Sequence, residues 1–193
     1  MEPLKASKYA AQRFRESIRY EKEVFDMKQE YQIQWETLPK TLEEMQQMPE
    51  AALQEPAHTV ALTIAALCVY PEDHEECYRM LDYLRGPRPL SPMERQFIRD
   101  RFMDGRDYIP RSYLAGATPE NNYTPDAPYT IRVNESFAQF AEEGYIRMEC
   151  TSGGADTKRP VTLRLKPSTG QWFLWEQSLL VGIRIPKEQD EWA

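Results

Sequence analysis

The apolar positions of the chain keep one period through its first half and another through its last third. Residues 3–35 contain no internal Gly or Pro, and Leu4, Ala11, Ile18 and Phe25 recur every seventh position with Phe14 alongside. Tyr20, Val24, Met27, Tyr31 and Trp35 make a second stripe at spacings of three and four. This pattern predicts one long helix ending at the "TLP" of Thr37 to Pro39. Two apolar stripes point to contact on two sides, so residues 1–35 are expected to form an arm that either packs on its own domain or mediates self-association or partner docking. Thr41 followed by Glu44 then has the pattern of a capping box and opens one or two short acidic helices. Pro56 and Pro71 bracket "VALTIAALCVY" (Val60 to Tyr70), apolar nearly all round and expected to be the central buried helix. Cys77, Met80, Leu81 and Leu84 fall on one helical face, which "GP" at Gly86 and Pro87 terminates. Ser91, Pro92 and Glu94 start the next helix, with Met93, Phe97, Ile98 and Phe102 as its expected core face.

Periodicity lapses between Asp104 and Pro128. Tyr108, Ile109, Tyr113, Leu114 and Tyr123 are anchors that a solvated linker would not carry, so this stretch predicts an ordered loop with a short turn of helix at 111–115. Alternation follows. "YTIRV" (129–133), "YIRMEC" (145–150), "VTLRLK" (161–166) and "QWFLWE" (171–176) read as strands with short connections, hence antiparallel. "SLLVGIRIP" (178–186) adds a fifth strand, or a short helix and strand. The expected fold class is α+β, with N-terminal helices packed on one face of a small C-terminal antiparallel sheet. The expected division is an arm at 1–35 and one domain at 36–193, made of a helical half (36–103), a loop (104–128) and a sheet half (129–193).

Charge refines this picture. The net charge is −7, but residues 36–86 hold three Lys and Arg against ten Asp and Glu, while the segments on either side are nearly balanced. An acidic helical half disfavours nucleic acid, because binding to phosphates requires clustered cations. The longest apolar stretch is about half the ~20 residues of a membrane span, so no membrane is expected. Cys68, Cys77 and Cys150 form no disulfide framework, and no leader precedes the first charged segment, which predicts a reducing cytoplasm. Cys68, His74 and Cys77 lack any metal-ligand spacing, and neither a metal nor a cofactor is expected.

Candidate chemistry collects in the sheet and the loop. Alternation places Ile131, Val133, Ile146, Met148, Cys150, Val161, Leu163 and Leu165 toward the helices. Thr130, Arg132, Arg147, Glu149, Thr162, Arg164 and Lys166 then occupy the opposite face. "WFLW" must put an aromatic on each face, and Trp172 or Trp175 beside Arg147 and Arg164, with Glu176 adjoining, would suit a planar anionic ligand or a peptide carboxylate. "SGGAD" at Ser152 to Asp156 can be an ordinary turn or an anion nest with Lys158 and Arg159 nearby. Asn121, Asn122 and Tyr123 sit in "TPENNYTPDAPYT", whose prolines stiffen the crossing and whose amides can close a turn or recognise a ligand.

Four stretches in order, "YLRGPRPLSPMERQFIRDR", "PRSYLAGATPENNYTPDAPYTI", "SGGADTKRPVTLRLK" and "GQWFLWEQSLLVGIRIP" through the terminal "DEWA", resemble a family of uncharacterised bacterial proteins found in Firmicutes. GATPENNYTP, SGGAD-x-x-RP and QWFLWEQ carry the likeness, which spans roughly residues 36 to 193. The resemblance implies a bacterial, cytoplasmic single-domain protein and supplies no activity, substrate or catalytic residue to carry over. From the residues themselves, the expected function is a non-catalytic binding or interaction module for a small anionic ligand or a protein partner. An enzyme acting on a small anionic or carbohydrate-like substrate, with Asp156, Glu176, Arg164 and Asn122 as its residues, is the alternative. A single-stranded nucleic-acid binder using Trp172 and Trp175 is the weaker one.

Overall fold

The computed structural model describes residues 30–138 and 142–192. Its first element is strand β1 (Glu30–Trp35), which corrects the helix expected to run through Trp35. Tyr31 and Trp35 lie four apart and fit a helix face, but Ile33 between them does not. Alternation accounts for all three, since Ile33 and Trp35 are buried while Glu30, Gln32 and Gln34 are exposed. The remainder of the expected helix, and with it the arm expected to self-associate, lies outside the described residues.

Strands β2 (Tyr129–Glu135), β3 (Tyr145–Cys150), β4 (Arg159–Lys166) and β5 (Gln171–Gln177) follow, and the five pair antiparallel in consecutive order. The fifth strand is thus β1, paired to β2 from Glu30 opposite Asn134 to Trp35 opposite Tyr129. Residues 178–186, expected as a strand or a short helix and strand, form neither. Leu179 and Leu180 are both buried although adjacent, which an alternating strand forbids. Arg159 holds this segment instead, donating to the carbonyls of Val181 (2.9 Å) and Gly182 (2.6 Å).

Five helices occur among the described residues, and the fold class is α+β with the helices mostly N-terminal to the sheet. Helix α1 (Leu42–Gln46) is capped by Thr41, whose hydroxyl accepts from the Glu44 amide. Helix α2 (Pro56–Val69) is buried from Ala57 to Val69 apart from His58 and Cys68, and touches β1, β2, β3 and β5 as well as α3 (His74–Arg85). Its hydroxyls are satisfied: Thr63 donates to Thr59 and Thr59 donates to the carbonyl of Trp172, each at 2.7 Å. The Trp172 amide in turn donates to Leu53 at 2.8 Å, so part of the edge of β5 is covered rather than open. Helix α4 (Pro92–Phe102) buries Ile98 and Phe102 but leaves Met93 81% exposed and Phe97 at the surface, a correction to its expected core face.

Helix α5 (Tyr108–Arg111) lies slightly before the expected turn at 111–115. All five anchors of the 104–128 loop are buried, and the Tyr108 and Tyr123 rings stack at 5.3 Å. Among the described residues no helix is long and apolar enough to cross a membrane.

Candidate functional site

The site begins where α3 ends. Gly86 caps the helix at φ +56°, and a Cβ there would lie 2.4 Å from the Phe173 ring, so only glycine allows both the left-handed turn and the aromatic against it. A network of side chains from both flanking helices braces the turn that follows. Asp82 accepts from the Leu90 amide at 2.7 Å and from Arg95 at 3.0 Å. Arg85, only 5% exposed, donates to the Arg88 carbonyl at 3.0 Å and pairs with Glu94 at 2.6 Å. The other carboxylate oxygen of Glu94 accepts from the Ser91 amide and hydroxyl, completing the predicted capping box. Arg88 reaches Glu94 at 3.3 Å.

Burial opposes ionisation of Glu94, but the Ser91 bonds and the charges of Arg85 and Arg88 outweigh it and hold the carboxyl below its ordinary 4.5. A carboxylate with a depressed folded pKa adds stability above its unfolded value, and that stability is lost as pH falls through the folded value. Acid unfolding of the wild type should therefore be steeper below about pH 4.5 than that of Glu94→Gln, measured as midpoint against pH. Equal slopes would mean that the Glu94 network contributes nothing. Glu43 and Glu120, also shifted down, are present in both proteins and cancel from the comparison.

The facing wall comes from β4 and β5. Leu163 pairs with Leu174, Arg164 with Phe173 and Leu165 with Trp172, which sorts "WFLW". Leu174 is buried and Trp172 packs on the core, while Phe173 takes the Arg164 face. Between Thr162 and Leu163 the register slips, leaving Trp175 without a Cα partner on β4. The Trp175 carbonyl accepts from the Arg88 guanidinium at 3.3 Å and from that of Arg85 at 3.5 Å. Thr162, which alternation alone would leave exposed, is buried beside this bulge.

Guanidinium groups lie over the Trp175 ring, Arg88 at 4.4 Å and Arg164 at 4.8 Å from its centre, and Arg164 is also 5.2 Å from the centre of Tyr145. Tyr145 meets Trp175 edge-on at 5.6 Å. Arg164 is exposed, and its guanidinium makes no ion pair or hydrogen bond among the described residues. Between the two walls runs a groove of about 410 Å³ lined by Arg85, Pro87, Arg88, Arg164, Leu165, Lys166, Pro167, Phe173, Leu174 and Trp175. That lining contains four cations and two large aromatics, and no carboxylate, histidine, thiol or hydroxyl. A smaller recess of about 260 Å³ shares Arg85, Leu174 and Trp175 with it and adds Glu94, Phe97 and Glu176.

Of the residues singled out from sequence, Arg164 and Trp175 meet here. Glu176 lines the adjoining recess, and Arg147 lies on the same face, opposite Thr162. Trp172 is on the other side, packed on the core and not part of the groove lining, and the remaining five hold the loops. Asn121 accepts from the Thr118 amide and donates to Gly116, both at 2.8 Å, and Asn122, at φ +52°, donates to Glu188 at 2.6 Å. Tyr123 is fully buried and donates to the Arg184 carbonyl at 2.8 Å. Asp156 pairs with Arg184, and Arg159 clamps residues 181–182.

The anion-nest reading of "SGGAD" is overturned by these bonds, because the Gly153 amide donates to Ser112 (2.9 Å) and the Gly154 amide to the Ser152 hydroxyl (3.1 Å). A wider cleft of about 610 Å³ borders Glu36, Lys40, Glu72, Asp107 and Arg111, charges of both signs that largely offset one another and build no strong field of one sign. Cys68 lines that cleft, and burial raises its thiol to about 12, far from the thiolate a nucleophile needs.

Sequence reasoning missed Arg85, Arg88, Tyr145 and Phe173. "RGPR" reads as a helix stop, and the chemistry of its two arginines depends on a strand about 90 positions away.

Residues 37–187 match the family described as Domain of unknown function (DUF6935). The match covers well over half the chain, and the chain belongs to this family. No curated protein and no solved structure matches it.

Proposed function

We propose that this member of the DUF6935 family is a non-catalytic binding module whose recognition surface is the groove between the Gly86 turn and strands β4 and β5. In this reading the helices cover one face of the sheet and the other face, with the turn beside it, is left to bind. One observation carries the proposal: the exposed guanidinium of Arg164 lies over Trp175 and Tyr145 without a carboxylate partner among the described residues. An arginine held in one orientation by aromatic faces is pre-organised for a bidentate oxyanion, and little side-chain entropy remains to be lost on binding.

Glu94 already compensates Arg85 and shares Arg88, so the charge on offer comes from Arg164 and Lys166. Phe173 and Trp175 add an apolar wall beside it. The ligand class is therefore a carboxylate or phosphate attached to a flat or apolar body. Groove volume fits a small molecule or one large side chain.

The lining favours binding over catalysis. Arginine does not give up its proton near neutrality, and Asp156, named for the enzyme alternative, is paired with Arg184 away from the groove. Three free cysteines whose thiols burial pushes upward suit a reducing compartment, and we place the module in the cytoplasm.

The test is thermal unfolding against nucleotides, sugar phosphates, dicarboxylates, carboxylated aromatics, acidic peptides and short oligonucleotides. A ligand at about ten times its Kd should add roughly 1.4 kcal/mol, which raises the midpoint of a chain this long by about 3 to 6 °C. In Arg164→Ala the shift should vanish, and added salt should weaken it in the wild type. A ligand whose shift survives Arg164→Ala would move the site elsewhere. Ribose phosphates and oligonucleotides acting alone would favour the nucleic-acid reading.

A further inference from the structure

The groove's occupant can be specified further from the chain itself. Trp192 is 95% exposed, more than any other large apolar side chain among the described residues. Its amide donates to the Asp190 carboxylate at 2.9 Å, which folds residues 190–192 into a local turn and leaves Glu191 exposed beside the indole. This segment therefore offers what the groove is built to take, a large aromatic next to a carboxylate with no ion pair among the described residues. The groove offers the complement, a cation likewise without an ion pair among the described residues, 4.8 Å from the centre of an aromatic ring. Two neighbouring side chains of one segment can meet both features at once.

The segment cannot reach the groove of its own copy. Residues 187–189 dock on the loop at 119–121 and Asp190 borders Gly153 and Arg184, beyond the Arg159 end of β4. The groove lies at the Lys166 end. From Arg159 to Arg164, the first groove residue of β4, is about 17 Å, whereas Asp190 and Trp192 are two residues apart, a backbone reach of about 7 Å. We infer that the segment Asp190–Trp192 of one copy docks in the groove of a second copy, Glu191 on Arg164 and Lys166 and the Trp192 indole against Phe173 and Trp175. The inference rests on the groove being a binding site for anions. Donor and acceptor surfaces are different, so the contact is head-to-tail and each added copy leaves one groove and one segment free.

Sedimentation velocity of the full chain tests this. Mass should rise with protein concentration without a plateau at the dimer and should fall as salt is added. Trp192→Ala alone and the double variant Arg164→Glu/Lys166→Glu alone should each remain monomeric, and because all three residues are exposed their folding is not at risk. Mixing the two variants in equal amounts restores one compatible pair, a Trp192 segment and an intact groove, so the mixture should stop at the dimer. A synthetic peptide of residues 186–193 should bind the wild type, dissociate its assemblies and fail on Arg164→Glu/Lys166→Glu.

A wild type that is monomeric at all concentrations, or assemblies indifferent to either variant, would overturn the inference. If small anions still give an Arg164-dependent thermal shift in that case, the binding module stands and only its occupant is wrong. If neither peptide nor anion depends on Arg164, both readings fall together.

Discussion

Gly153→Ala should lower the unfolding free energy by about 3 to 4 kcal/mol, which in a chain of this length lowers the midpoint by roughly 10 °C. A Cβ at Gly153 would lie 1.9 Å from the Ala117 carbonyl oxygen and 3.0 Å from its carbon, and the obstacle is backbone rather than the end of a flexible side chain. Relief requires the 112–118 loop and the β3–β4 connection to separate. Separation breaks the bond from the Gly153 amide to Ser112 and the buried bond between the Ser152 and Ser112 hydroxyls at 2.8 Å. Gly105→Ala is the control: its Cβ meets nothing within 4 Å, so only the left-handed backbone (φ +72°) is penalised, at about 1 kcal/mol. Chemical denaturation of the three proteins gives the comparison. If Gly153→Ala lies within about 1 kcal/mol of wild type, the two loops yield easily and the "SGGAD" turn is no tight junction.

Helices α2, α3 and α4 and strands β2 to β5 are local patterns bounded by caps and turns, and Ser91, Glu94 and Gly86 perform the roles that spacing assigns them. Strand β1 escapes a local reading because Tyr31 and Trp35 continue the helical spacing of Tyr20, Val24 and Met27. Only pairing with β2 decides for the strand, and pairing is not a local property. Residues 178–186 failed in the opposite direction. "LLVGIRI" has strand composition, but its backbone is held by the side chains of Arg159, Tyr113 and Tyr123 and by the Gly154 carbonyl rather than by a strand ladder.

For the site, alternation correctly put Arg164 on the face away from the core. It could not reveal the slip at Trp175 that leaves this residue without a ladder partner beside Arg85 and Arg88. Nor could it separate residues that bind from residues that brace. Asn121, Asn122, Tyr123, Asp156 and Arg159 have recognition chemistry, and each is engaged by the loops around it. Satisfaction of a polar group depends on where distant segments come to lie, and that information is tertiary.

Bracing by Arg85 leads to the second large effect, a loss of about 2 to 3 kcal/mol in Arg85→Met, at the lower end for a broken buried pair because Glu94 keeps some solvent. Methionine occupies much of the arginine stem's space but leaves Glu94 to Arg88 alone and withdraws donors from the carbonyls of Arg88 and Trp175. The double variant Arg85→Met/Glu94→Gln should be more stable than Arg85→Met. Glutamine can still serve the capping box, and no half-compensated carboxylate remains beside the apolar replacement. Equilibrium unfolding of the four proteins closes the cycle, and strictly additive losses would show that Arg85 and Glu94 are not coupled.

The same cycle separates holding from binding. Arg85 contributes to the groove chiefly by fixing the turn that carries Arg88 and by meeting the Trp175 carbonyl. In the double variant the fold should therefore recover further than the ligand-induced thermal shift does. Recovery of both together would mean that the groove keeps its shape without this network, and that Arg164 with its two aromatic rings suffices for recognition.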